Sequence, residues 1–196
     1  MRPTPDDYNQ ARTLLAEHGN LRPQLNSDWR GTIPLPSDIA TYFQQIGPVD
    51  VYVRGYGNST ELPSLARLWD YQAGYRWNGI TGNAVIGWDD NWIVVGSEGG
   101  DPYIFDVESG TVLFARHGEG TWRPRKCYPN LPLMVSCLST LSAIRRAAGK
   151  DFVDEDCFVQ PKYREAAIAA ITKIAGSAAA AKRVVSRAGW GEPGAA

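Results

Sequence analysis

Cysteine and histidine are scarce in this chain, with three of the first and two of the second among 196 residues. Cys127, Cys137 and Cys157 form no C-x-x-C pair, and their odd number leaves one over in any disulfide framework, so reduced thiols are expected. His18 and His117 have no ligand partners at zinc-binding spacing, and no metal or other cofactor is expected. No apolar run approaches the roughly 20 residues that cross a bilayer, which argues against a membrane partner. The N-terminal MRPTPDDYNQARTLL has no apolar core of a secretory signal and carries early acids, so a cytoplasmic protein is expected. No internal repeat is visible. The length is ample for a proper hydrophobic core.

Aromatic residues are plentiful, with seven Trp and nine Tyr, and the net charge is only −1. That charge is unevenly spread. Residues 80–120 hold Asp89, Asp90, Glu98, Asp101, Asp106, Glu108 and Glu119 against Arg116 alone, whereas residues 121–187 hold twelve Lys and Arg against five acids. Such asymmetry suits an electrostatically polar molecule. Turn preferences for Asp and helix preferences for Lys and Arg produce the same pattern without a partner.

The clearest element signal is AVIGWDDNWIVVGSEGGDPYIFDVESGTVLF, residues 84–114. Three short apolar runs, Trp92–Val95, Tyr103–Asp106 and Thr111–Phe114, are separated by Gly-rich acidic turns, which predicts a β-meander. Upstream, Thr4-Pro5-Asp6-Asp7 opens a helix with Tyr8, Ala11, Leu15 and His18 at helical spacing, and Gly19 closes it. Leu35-Pro36-Ser37-Asp38 opens a second, with Ile39, Tyr42, Phe43 and Ile46 on one face and Gly47-Pro48 ending it. Val49–Arg54 alternates like a half-buried strand. Tyr56–Thr60 reads as a loop, Leu62–Trp69 as a short helix or irregular crossing segment, and Tyr75–Asn83 as a loop with Asn78-Gly79 and Gly82-Asn83 as turn signals. Trp122-Arg123-Pro124 breaks the sheet pattern.

Asn130-Leu131-Pro132 then opens a long helix to Ala148, with Met134, Cys137, Leu138, Leu141 and Ile144 as its buried stripe and Gly149 beyond its end. Residues 151–160 form an acidic linker with Phe152, Phe158 and Val159 as anchors. An Ala-rich helical region follows from Pro161 to about Ala188, divided by Gly176. Its 4/3 spacing through Ala167, Ile171, Ile174, Ala178, Ala181, Val185 and Ala188 suits docking on the parent domain; the same spacing allows a homodimer seam, with heptads too few and too Ala-rich to favour a coiled coil. Gly189–Ala196 reads as a frayed tail. The expected organisation is a domain over residues 1–150 and a linker with a helical extension over 151–196.

Several of these pieces, in this order, resemble the SUKH superfamily and within it the Smi/Knr-type proteins. Leu35-Pro36, Ile39, Tyr42-Phe43 and Gly47 resemble the family's opening helix. Ile86-Gly87, Asp89 and Trp92–Gly96 resemble its central strand pair, Gly99–Asp106 with Gly110-Thr111-Val112 its next hairpin, and Asn130-Leu131 with Met134 the start of its closing helix. The likeness covers residues 33–145. The aromatic residue the family carries inside its closing helix is missing from Val135–Leu141. The resemblance implies an α+β fold: a twisted, mostly antiparallel sheet with helices packed against it, here plus a C-terminal helical extension. It also implies a non-enzymatic role. Bacterial members are regarded as immunity proteins that bind and block a cognate toxin, often a nuclease; fungal relatives act as adaptors.

For catalysis, Asp89, Asp90, Asp101 and Asp106 are close enough in sequence to converge as an acid/base pair, though each is also an ordinary turn former. Ser97-Glu98-Gly99-Gly100 lacks the ending of a phosphate loop and places Glu98 where a phosphate would be repelled. Cys127, beside Arg125 and Lys126, could have a lowered pKa but has no histidine nearby in sequence. Arg123, Arg125, Lys126, Lys182, Arg183 and Arg187 could meet phosphates, but an acidic pI and no nucleic-acid motif favour a solvated face. For binding, Asp89, Asp90, Glu98, Asp101, Glu108 and Glu119 offer carboxylates to a basic protein partner. Among the aromatics Tyr75, Trp77, Trp88 and Trp92, Trp92 is expected in the core and Trp77 exposed as an anchor.

Overall fold

A computed structural model describes residues 2–191. Its centre is one six-stranded sheet in which each strand pairs antiparallel with the next along the chain: β1 (Val51–Arg54), β2 (Ser59–Leu62), β3 (Trp92–Glu98), β4 (Asp101–Asp106), β5 (Thr111–Phe114) and β6 (Arg125–Tyr128). The helices are α1 (Pro5–Leu15), α2 (Ser37–Gln45), α3 (Leu65–Leu68), α4 (Leu131–Ala148), α5 (Pro161–Ala175) and α6 (Ala178–Val185). The fold is α+β, with helices packed against the sheet and a C-terminal helical segment. Among the described residues, no helix is long and apolar enough to cross a membrane.

Local chemistry sets the helix limits. Thr4 and Asp7 cap α1 reciprocally: the Thr4 backbone N–H donates to Asp7 Oδ2 at 2.7 Å, and the Asp7 N–H donates to Thr4 Oγ1 at 3.4 Å. Asn130 Oδ1 accepts from the Leu133 N–H at 2.9 Å and starts α4. Gly176, at φ 66°, ends α5 in the left-handed conformation that glycine adopts freely, and α6 starts afresh behind Ser177.

Strand alternation then divides the sheet into two unlike faces. Val53, Ile93, Val95, Tyr103, Phe105 and Val112 face the helices and join Leu15, Phe43, Met134 and Leu138 in the main core. The same core takes in Ala167 and Ile171 from α5 and Ala181 and Val185 from α6. The opposite face presents Val94, Ile104, Leu113 and Ala115 to partly buried Tyr71, Tyr75, Trp88, Trp92 and Trp122, which come from a short 3-10 turn (Asp70–Gln72), from loops and from the start of β3. The sheet is therefore covered by helices on one side and by an aromatic loop layer on the other.

Several sequence expectations are corrected. The meander has six strands, not three. β2 starts within the expected Tyr56–Thr60 loop and ends on Leu62, the first residue of the expected Leu62–Trp69 segment, because Thr60 and Leu62 are buried alternately and pair with Val53 and Val51; the helix there is only Leu65–Leu68. β6 resumes pairing directly after the Trp122-Arg123-Pro124 break. Of the linker anchors, Phe152 and Val159 are buried, but Phe158 is exposed. The tail does not fray at Gly189: Trp190 is buried against Phe152, ring centroids 4.8 Å apart. Residues 192–196 of that expected tail lie outside the described residues.

Arg187 fastens this C-terminal segment to the sheet. Its guanidinium lies over the rings of Tyr128, Tyr103 and Phe114 at 4.6, 5.3 and 5.4 Å. It donates to the Tyr103 hydroxyl at 2.9 Å and also to the Tyr128 hydroxyl. Tyr103 in turn donates to Glu98 Oε2 at 3.1 Å. A desolvated cation over several aromatic faces is held by roughly 2 kcal/mol or more.

Candidate interaction surface

The aromatic layer is built on Gln72. β2 pairs with β3 only at Thr60–Glu98 and Glu61–Ser97, so Val94 has no strand neighbour on that side. The fully buried Gln72 side chain takes the vacant place. Its Oε1 accepts from the Val94 N–H at 2.8 Å, and its Nε2 donates to Val94 O at 2.9 Å and Leu68 O at 2.7 Å. One amide thus satisfies a backbone pair that would otherwise be buried and unpaired.

Arg76 closes the base of the loop that follows. Its guanidinium donates to Asp90 O at 3.0 Å, Trp92 O at 3.3 Å and Asp90 Oδ1 at 2.8 Å, and lies 5.7 Å from the Trp69 ring centre. Above it the chain folds back on itself. The Val85 N–H donates to Arg76 O at 2.9 Å, the Asn78 N–H to Asn83 O at 2.8 Å and the Gly82 N–H to Asn78 O at 2.8 Å. Asn78 Oδ1 accepts from the N–H groups of Ile80 and Thr81 at 2.9 and 3.0 Å, a short-range turn lock. This ordered projection carries Ile80 and Ile86 at 96% and 92% exposure.

Two clefts flank the projection. One, of about 270 Å³, lies between Ile33, Trp69, Trp77 and Asp90; the other, of about 310 Å³, lies between Ile86, Arg116, Glu119 and Trp122. Val85 borders both. Their walls are stiffened by aromatic contacts: Trp69 with Trp77 at 5.1 Å and with Trp29 at 5.5 Å, and Trp88 with Trp92 at 5.5 Å and with Trp122 at 5.8 Å. Ile80 at the tip, Ile86 just past the base, aromatic walls and polar margins form a surface suited to gripping another protein.

The sequence-derived site residues divide between this surface and other places. Trp77 and Asp90 share the first cleft, and Glu119 lines the second. Asp89 stands next to them, exposed, its Oδ1 accepting from the Asn91 N–H at 2.8 Å. Trp77 is half-buried against Trp69, not freely exposed. Trp92 is half-buried in the second apolar cluster.

The remaining acids are not brought to this surface as a set. Trp92 pairs with Asp106 and Glu98 with Asp101, so Asp106 and the neighbouring Glu108 lie at one end of β3 and β4, and Glu98 and Asp101 at the other. The separation is about 20 Å for a strand of this length. Asp101 therefore does not converge with Asp89, Asp90 or Asp106. Glu98 turns to the helical face beside Tyr103, where burial raises its carboxyl pKa despite the hydroxyl it accepts from. Asp101 Oδ1 accepts from the His117 backbone N–H at 2.8 Å and meets its ring Nδ1 at 2.6 Å, tying down the loop after β5.

Two further expectations change. Burial pushes the Cys127 thiol up to about 11, and its Sγ donates to Val112 O at 3.2 Å, so the neighbouring cations do not activate it. Arg187 leaves the basic surface group because it points inward. Sequence reading missed Trp69, Gln72, Arg76, Ile80 and Ile86. The available signal was isoleucine set among turn formers, at Asn78-Gly79-Ile80 and Ile86-Gly87, where a loop has no folding reason to hold a large apolar side chain. Comparison with family models, curated proteins and solved structures gave no match.

Proposed function

We propose that this chain is a non-catalytic protein-binding domain of the SUKH, Smi/Knr type, and that it acts as a cytoplasmic immunity protein that binds and neutralises a cognate bacterial toxin. The observation that carries the binding role is the ordered projection with Ile80 and Ile86 solvent-exposed between two aromatic-walled clefts. The toxin assignment rests on the resemblance of residues 33–145 to that family. Asp89 and Glu119 at the margins favour a partner with a basic surface, as a nuclease cleft has. Ile80, Ile86 and Trp77 supply the apolar anchors, and the carboxylates speed encounter.

The test is co-expression with the toxin domain encoded by the neighbouring gene. Protection and a co-purifying complex are expected. Ile80→Asp and Ile86→Asp should each weaken the complex by about 2 kcal/mol or more. Asp89→Lys with Glu119→Lys should slow association and reduce its salt dependence. Binding that is unchanged by all four substitutions removes this surface from the reading. A complex with a non-toxin partner through the same residues would make the domain an adaptor.

A further inference from the structure

We propose that the groove between β6 and the α5–α6 corner is a second docking site, which takes an acidic segment of a partner protein as an added strand on β6. β6 ends the sheet: β5 is its one strand neighbour, and among the described residues no backbone hydrogen bond from outside the sheet reaches Arg125–Tyr128. Such an edge presents unpaired N–H and C=O groups to any extended chain. Beside it lies an open groove of about 290 Å³ with Leu133, Cys137, Ala180 and Val184 along its floor and Arg183 beside them, while Lys126, which borders it, pairs with Leu113 and so turns its side chain to the other face of the edge, where the outward carboxylates of an added strand would meet it. This groove is on the helical side, so alternate side chains of an added strand would drop into it.

Charge decides the occupant. Lys126 and Arg183 are exposed, and neither joins an ion pair among the described residues. Neither β6 nor α6 contains an acid. Lysine and arginine on a sheet edge discourage self-pairing. A second copy docked edge to edge would set Arg125 and Lys126 against their own kind, whereas an acidic strand gains from the same charges. A fatty acid would use the floor and the cations but leave the strand edge unpaired. The site lies on the far side of the sheet from Ile80 and Ile86, so it stands or falls independently of the interaction surface above.

The test uses the full chain and three fluorescent peptides of roughly eight residues: alternating Glu and Val, alternating Lys and Val, and the Glu–Val peptide N-methylated at every residue, which leaves neither edge a backbone donor. The Glu–Val peptide should bind saturably by anisotropy, more weakly as salt rises, and should protect from hydrogen exchange those amides of Arg125–Tyr128 that do not bond β5. The Lys–Val and N-methylated peptides should not bind. Lys126→Glu with Arg183→Glu, both at exposed positions, should cost at least about tenfold in affinity, while Ile80→Asp should leave it unchanged. No saturation by the Glu–Val peptide at millimolar concentration overturns the proposal. So does equal binding of the N-methylated peptide, binding that survives the double substitution, or laurate occupying the groove while the peptide stays free.

Discussion

Replacing Gln72 with methionine keeps the length and most of the volume of the side chain but removes its hydrogen bonds. Three contacts are lost: from the Val94 N–H at 2.8 Å, to Val94 O at 2.9 Å and to Leu68 O at 2.7 Å. Both Val94 groups point to the side where β2 has ended, so no strand can replace the amide. A buried backbone group left unpaired costs about 1–3 kcal/mol. Two such groups give about 2–6 kcal/mol, and the extra apolar burial of methionine offsets part of that. The expected net loss is about 3 kcal/mol, or about 6–12 °C in Tm for a chain of this size. Urea denaturation gives the free energy, and hydrogen exchange at the Val94 amide locates it. Partner binding should weaken as well, because the projection is anchored through this amide. A loss below about 1 kcal/mol with Val94 still protected would refute the view that Gln72 completes the sheet.

Gly96→Ala would put a Cβ 2.7 Å from Glu61 O and 2.9 Å from Leu62 Cδ2, and a backbone oxygen cannot swing aside; a loss of about 1–3 kcal/mol in denaturant titration is expected. Arg187→Met should lower stability by about 2 kcal/mol, and Arg187→Lys should not restore it, because an ammonium cannot lie flat on the rings while donating to both Tyr103 and Tyr128. Burial, and then the Arg146 charge, hold the His18 pKa below its ordinary 6.5, and its Nε2 is buried without a partner. The unfolded chain therefore takes up a proton below pH 6.5 that the folded chain refuses, so stability falls as pH drops through 6.5 and levels off below the folded value. His18→Gln should flatten that limb of a stability–pH curve, which otherwise slopes by at most about 1.4 kcal/mol per pH unit.

Local signals that agree with burial were legible in the sequence. The Thr4-Pro5 cap, the α2 face of Ile39, Tyr42 and Phe43, the α4 stripe and the break at Gly176 all combine a periodic pattern with a terminator. β2 and β6 were missed because Ser59–Leu62 and Arg125–Tyr128 are short and polar on one side, and a four-residue edge or inner strand is set by its neighbours more than by its own residues. For the site, composition placed acids in turns but could not say at which end of the sheet each turn lies. Strand direction did that, sending Glu98 and Asp101 away from Asp89 and Asp90. Gln72 gave no sequence signal at all, since its role depends on where β2 stops.

The aromatic layer makes a poor covering if covering is its only task. It shields four small or aliphatic side chains, Val94, Ile104, Leu113 and Ala115. To do so the chain orders the whole stretch from Asp70 to Trp92, at a backbone cost of about 1–2 kcal/mol for each residue fixed. A hairpin turn with one inward tryptophan would cover the same patch with far less chain. The surplus is spent on shape: Arg76 clamps the base, Asn78 locks the turn, and Ile80 and Ile86 are held out in water, where they do nothing for the core. Rigid apolar side chains displayed in this way reduce the ordering cost of an encounter, the main obstacle to tight association between proteins. On the proposed reading, the layer is a preorganised grip that also caps a sheet, and the exposed isoleucines are part of it.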